Sequence, residues 1–305
     1  MPKRKIHFIG FLANVDDSIT KLNLGKGFVI EKHAQQEVMP FLRIIDFHYG
    51  IDNRAKIIAS GCYCVSKPEV TEFESTPQGG VVIQWGKGEE LHSSIQDKLR
   101  LLRLFKEGNI SLEFSCLYHL KDSQPSVVGL CREWPIADKT TFHLNDKEVL
   151  EAQSFIEDVT IPFKYQFLQL AFEAFELSYE VYDSALAFLS LMISMETMFN
   201  KKDRELQYSI SRNAAVLLGS TCKESQDIFR EVKSLYGKRS AIVHQGERNK
   251  VSKADVLKLR DYIRRSIKEI NKIYNNKDSL LEMLNVCGFG QRPWKNQNGF
   301  PPPRE

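Results

Sequence analysis

Hydrophobic and polar positions alternate differently in the two parts of the chain. Up to about residue 145 the apolar residues come in short or alternating runs: Ile6–Leu12, Leu22–Glu31, Ala55–Val65, Val81–Trp85 and Ser111–His119. Period-two runs of this length predict strands. Turn chemistry separates them at Asn23 to Gly27, at Pro77 to Gly80 and at Gly86-Lys87-Gly88. Ser94–Phe105 is the exception, because Ile95, Leu99, Leu102 and Phe105 recur at helical spacing.

Near Asp146 the period changes. Phe163–Leu177 and Asp183–Phe199 are apolar nearly all round, as central buried helices are. Glu205–Leu218 and Gln226–Arg239 are amphipathic, and Val256, Leu259, Ile263, Ile267, Ile270 and Tyr274 form one helical stripe. Ser252 and Asp255 have the spacing of a capping box for that last helix. The pattern predicts an α+β, two-domain chain: a β-rich domain over 1–145, an all-helical bundle of about five helices over 146–290, and a disordered Pro-rich tail over 291–305.

Composition adds an asymmetry. The net charge of the chain is only +3. Residues 201–277 carry 19 Lys+Arg and 9 Asp+Glu, whereas residues 1–200 carry 20 and 27. A basic helical segment of this kind points to a polyanionic partner, or to a Lys-rich solvated surface. No run approaches the roughly 18 apolar residues of a membrane span, and the basic Met1–Lys5 start lacks an apolar core, so a cytoplasmic protein is expected. The six cysteines include no Cys-x-x-Cys, and no histidine stands at zinc-finger spacing. Neither a disulfide framework nor a metal is expected. Cys62 and Cys64 flank Tyr63 in an expected strand and read as two thiols on one face.

The candidate chemistry lies at Arg239-Ser-Ala-Ile-Val-His244. RNA is cut without a metal when a base removes the 2′-hydroxyl proton, an acid protonates the leaving 5′-oxygen and a cation stabilises the phosphorane. Histidine serves the proton transfers and arginine grips phosphate oxygens as a fork. The spacing alone is weak, because Arg43–His48 repeats it in a stretch that reads as a strand, where such residues face opposite sides. On an ideal helix Arg239 and His244 diverge by about 140°. The helix must therefore bend or end near Ala241–Gln245, with Gly237 and Gly246 as break points, or a second protomer must supply a partner group. The bland alternative is a surface ion pair for Arg239 and a helix-end role for His244.

Three segments appear in order: Met195-Glu-Thr-Met-Phe199, Arg212-Asn-Ala-Ala-Val-Leu-Leu218, and Ser234-Leu-Tyr-Gly-Lys-Arg-Ser-Ala-Ile-Val-His-Gln-Gly246. Together they resemble the HEPN superfamily, in particular its Apea-like branch. The resemblance covers roughly residues 150–275. It implies a dimerising helical bundle with metal-independent endoribonuclease activity, used in antiphage defence or toxin-like abortive responses, with no cofactor. By position it makes Arg239 the phosphate-stabilising cation, His244 the general acid or base, Ser240 an orienting group and Glu196 a partner of Arg239. Lys238 and Arg212 become candidate substrate contacts, although Arg212 competes with Arg239 as the ion-pair partner of Glu196. In a related branch a tyrosine adenylylated by a partner enzyme stands two residues after the histidine; here that place is Gly246. Two other readings compete: a HEPN module that binds RNA or protein without cutting, and a metal enzyme on the N-terminal domain, whose histidines 33, 48, 92, 119 and 143 are dispersed.

Overall fold

The computed structural model describes residues 4–49, 57–59, 61–73, 86–132, 140–200, 205–273 and 276–291. The expected strand Val81–Trp85, the turn before it, Tyr274 and the Pro-rich tail beyond Gln291 lie outside these residues. The chain divides into two compact units, Met1–Thr160 and Ile161–Glu305. An α+β layout results, with an antiparallel sheet in the first unit and a helical bundle in the second.

The first unit is built on five strands: β1 (Arg4–Ala13), β2 (Val29–Lys32), β3 (Tyr63–Phe73), β4 (Ser111–Lys121) and β5 (Gln124–Arg132). They run in the order β2-β3-β1-β4-β5, and every pairing between these five strands is antiparallel. Helix α1 (Gln35–Tyr49) packs Val38, Phe41, Leu42 and Ile45 on the face that carries Ile9, Phe11, Cys64, Phe114 and Cys116. Helix α2 (Lys87–Phe105) covers the opposite face, where His92 Nδ1 lies 2.7 Å from Ser115 Oγ. With both faces covered, β1 is apolar almost throughout and buried over most of its length. Cys62 and Cys64 share the core on the α1 side. Burial pushes the thiol pKa of both upward, as inert core cysteines require.

Several expectations change here. Arg43–His48 lies in α1, not in a strand. The adjacent β-branched Ile44 and Ile45 mimic a strand locally, but Val38, Phe41, Leu42 and Ile45 have helical spacing and the core selects it. The strand expected over Leu22–Glu31 shrinks to Val29–Lys32, preceded by a 3-10 turn, Asp17–Lys21, that Asp16 caps. Strand β5 is an addition that the alternation of the sequence does not predict. The boundary near 145 also moves, to 160. Helix α3 (Asp146–Asp158) belongs to the first unit, tied there by Lys106–Glu148 at 2.6 Å, Lys21–Asp146 at 2.6 Å and Gln153 on Asn23. Its Asn145–Glu148 capping box explains the break in pattern that marks its start.

The second unit contains α4 (Gln166–Glu180), α5 (Ser184–Phe199), α6 (Leu206–Leu218), α7 (Cys222–Gln245), α8 (Lys253–Ile273) and α9 (Lys277–Val286). Thus six helices, not five, are present among the described residues. Helix α5 packs against α4, α6, α7 and α8. Its Phe188, Leu191, Met192, Met195, Met198 and Phe199 are almost fully buried. At about 1.5–3 kcal/mol for each large apolar side chain withdrawn from water, this is the strongest cohesive element of the bundle. Asp183 caps α5 and Thr221 caps α7. Ser252 and Asp255 exchange hydrogen bonds at the start of α8, as their spacing requires. Among the described residues no helix is long and apolar enough to cross a membrane.

Candidate active site

Helix α7 carries the motif and does not break within it. It runs through Gly237 and Ser240 to Gln245 and stops at Gly246, whose left-handed backbone (φ 71°) and N–H to the Ile242 carbonyl close the end. Arg239 and His244 therefore sit on one continuous helix, about 140° apart around its axis.

Arg239 faces α5. Its Nε lies 3.3 Å from Glu196 Oε1, with both side chains about a quarter exposed. Glu196 thus pairs with Arg239, not with Arg212. The pair is an electrostatic contact, because Glu196 Oε1 is buried without an aligned hydrogen bond. The Arg239 guanidinium also lies 5.7 Å from the centre of the Tyr236 ring. Burial, helped by the Glu196 charge and by a hydrogen bond to Glu196, raises the Tyr236 pKa, while Arg239 pulls it down. Tyr236 is the residue that sequence reasoning left out of the site. Its place three residues before Arg239, on the same side of a helix, was the signal.

Lys238 turns the other way, toward α8, and donates to both Asp255 oxygens at 2.7 and 2.8 Å. Burial would raise the Asp255 pKa, but hydrogen bonds from Lys238 and Ser252 outweigh it and hold the carboxyl below its usual range. The Lys238 charge is thereby committed within the fold. Arg212 is committed as well: its guanidinium donates to the carbonyls of Leu284, Asn285 and Cys287 at 2.7, 3.1 and 2.8 Å, satisfying the end of α9. The two expected substrate contacts thus hold helices together, and neither is gathered with Arg239.

Ser240 is half-exposed and shares an open groove of about 440 Å³ with Lys238, Gly237, Gln245, Glu247 and Lys250, so the structure does bring Ser240 and Lys238 to one surface. His244 is exposed in the last turn of α7. A single chain therefore presents an arginine with its counter-ion on one side of α7 and a solvent-facing histidine on another. Among the described residues no group of three or more His, Cys, Asp or Glu is placed to hold a metal ion.

No family model matches the chain, and no curated protein or solved structure matches it either.

Proposed function

We propose that this chain is an endoribonuclease of the HEPN type that cleaves RNA without a metal, with its working site completed by a second copy of the chain. The observation that carries the reading is the state of α7: Arg239 held by Glu196 beside Tyr236, and His244 open to solvent on the same helix. Arg239 supplies a fork for the scissile phosphate. His244 supplies proton transfer. The 2′-oxygen loses its proton and bonds to phosphorus, the bond from phosphorus to the 5′-oxygen breaks, and that oxygen takes a proton. The products are a 2′,3′-cyclic phosphate and a 5′-hydroxyl.

One chain cannot aim both groups at one phosphate, because they diverge on a rigid helix. A second α7 related by two-fold symmetry resolves this, since the partner's histidine meets this chain's arginine. The surface beside the ion pair suits such contact. Leu186 and Ile193 on α5 are 44% and 52% exposed, and Val243, one turn beyond Arg239, is 49% exposed. Large apolar side chains exposed around an incomplete site mark an interface. The resemblance adds a setting, antiphage defence or toxin-like arrest, with the sheet unit as the natural place for control.

A non-catalytic RNA-binding module is the second reading. The same divergence favours it, because a single chain can grip phosphate without placing the histidine.

The deciding experiment is incubation of purified protein with total RNA in EDTA, wild type beside His244→Ala. Cyclic-phosphate ends from the wild type alone support the nuclease; RNA binding with no cleavage by any form supports the module.

A further inference from the structure

Tyr236 is the third member of the contact between α5 and α7, and the proposed chemistry does not use it. Its side chain is buried, 8% exposed. Its hydroxyl hydrogen-bonds the Glu196 carboxylate, and the Arg239 guanidinium lies 5.7 Å from the centre of its ring. Tyr236 and Arg239 are about 60° apart around α7, at about 100° per residue. One carboxylate on α5 thus serves two side chains from one turn of α7. It accepts from the phenol, and its Oε1 stands 3.3 Å from Arg239 Nε.

The atom of Arg239 that meets Glu196 decides what the rest of the guanidinium can do. A guanidinium can take an anion along a side edge that includes Nε, or along the end edge made by its two terminal nitrogens. Glu196 stands at Nε. Among the described residues no protein group hydrogen-bonds the terminal nitrogens, and the side chain is 27% exposed. A carboxylate free to slide from Nε to the end edge would occupy the place of a phosphate. The phenol opposes that slide, because a hydroxyl donating to Glu196 gives the carboxylate a second fixed point. Burial and the Glu196 charge keep the phenol protonated at neutral pH, so it stays a donor. Its ring, on the same helix, adds a weak attraction for the guanidinium.

We infer that Tyr236 is a positioning residue: it tethers Glu196 to the Nε side of Arg239 and so keeps the terminal nitrogens of the guanidinium turned out toward a phosphodiester. The tether rests on the RNase reading for its phosphate, but the posture of the arginine exists whether or not RNA is cut. Tyr236 itself touches no reacting atom and acts only through Glu196 and Arg239.

The test reads the arginine directly, by NMR of full-length protein with isotope-labelled arginine, and Arg239→Lys assigns the signal. Rotation of the Arg239 guanidinium about its Nε–Cζ bond is expected to quicken about five-fold in Tyr236→Phe, which keeps the ring and removes one hydrogen bond. Glu196→Gln should quicken it as well. An unchanged rate in Tyr236→Phe overturns the tether, whatever happens to RNA. Cleavage of a short single-stranded RNA is then measured in two backgrounds. With Arg239 present, Tyr236→Phe should lower kcat about ten-fold or more and leave KM nearly unchanged, because what is lost is aim. In Arg239→Lys the same substitution should cost nothing further, since an ammonium has no edge to aim. Equal losses in both backgrounds mark a general packing role and overturn the tether. Faster rotation with no cleavage by any form sinks the nuclease reading and leaves the tether standing.

Discussion

On α7, Lys238 meets Asp255 through two hydrogen bonds at 2.7 and 2.8 Å, and Asp255 is itself pinned by Ser252. One residue further on, Arg239 meets Glu196 through a single 3.3 Å contact, to an oxygen with no aligned donor. The first carboxylate is satisfied, and its lysine has no reason to leave. The second is shared between Arg239 and a Tyr236 hydrogen bond, and its contact with the arginine is the looser of the two ion pairs. Two adjacent cations of the same helix thus separate into a clamp and a poised group. Proximity to a motif does not distinguish them; the quality of the counter-ion does.

The sharpest way to break this comparison is through activity. His244→Ala and Arg239→Ala are each expected to lower RNA cleavage by about 10²–10⁴-fold, the usual loss when a proton-transfer or charge-stabilising group is removed. Mixing the two inactive forms should recover activity, because a mixed dimer contains one intact arginine–histidine pairing across its interface. Absence of recovery, with heterodimer formation verified by native mass spectrometry, would count against the shared site.

Next in size is Arg212→Ala. It leaves the carbonyls of residues 284, 285 and 287 without their donor and should destabilise the protein by about 2–3 kcal/mol in urea unfolding. A loss of RNA affinity with stability unchanged would return Arg212 to the substrate site. Lys238→Met should cost about 1–3 kcal/mol, because it strands a largely buried Asp255. Glu196→Gln should cost less than about 1 kcal/mol, as expected for a loose, partly exposed pair. Equal losses for the last two would erase the distinction between clamp and poised group.

The smallest effect is a pH dependence. Asp255 has a folded pKa below its unfolded value of about 3.9. Its contribution is fully present above the unfolded value and fades as pH falls through the folded one. The Tm gap between wild type and Lys238→Met should therefore be constant near neutrality and close under strongly acidic conditions.

Periodicity made the bundle legible because its helices are long and their buried faces regular. The stripe Val256 to Ile270 is buried as spaced, and the near-uniform apolarity of α5 matches its central place. The sheet unit was harder to read. Helix α1 contains Pro40 and adjacent isoleucines, local signs against a helix that only packing on β1 and β4 overrides. Strand β5 lies at a sheet edge, half-buried, without a clear apolar alternation. In the site, the Arg239–Glu196 contact was one of two pairings left open for Glu196, the one that the resemblance implies, and the structure selects it over Arg212. The fates of Lys238 and Arg212 did not, because they depend on Asp255 and on the end of α9, both remote in sequence or unread. The helix through Gly237 is also a tertiary outcome, since a glycine lowers helix propensity by only about 1 kcal/mol.

On the resemblance to the HEPN superfamily, Gly246 would correspond to a place where a related branch carries a modifiable tyrosine. Here it ends α7 in a left-handed conformation at φ 71°. A side chain at this position would incur about 1–2 kcal/mol of backbone strain. Grafting a tyrosine here would therefore loosen the last turn of the helix that presents His244. At this one residue, acquiring a chemical tag and keeping a sharply terminated helix are in direct conflict.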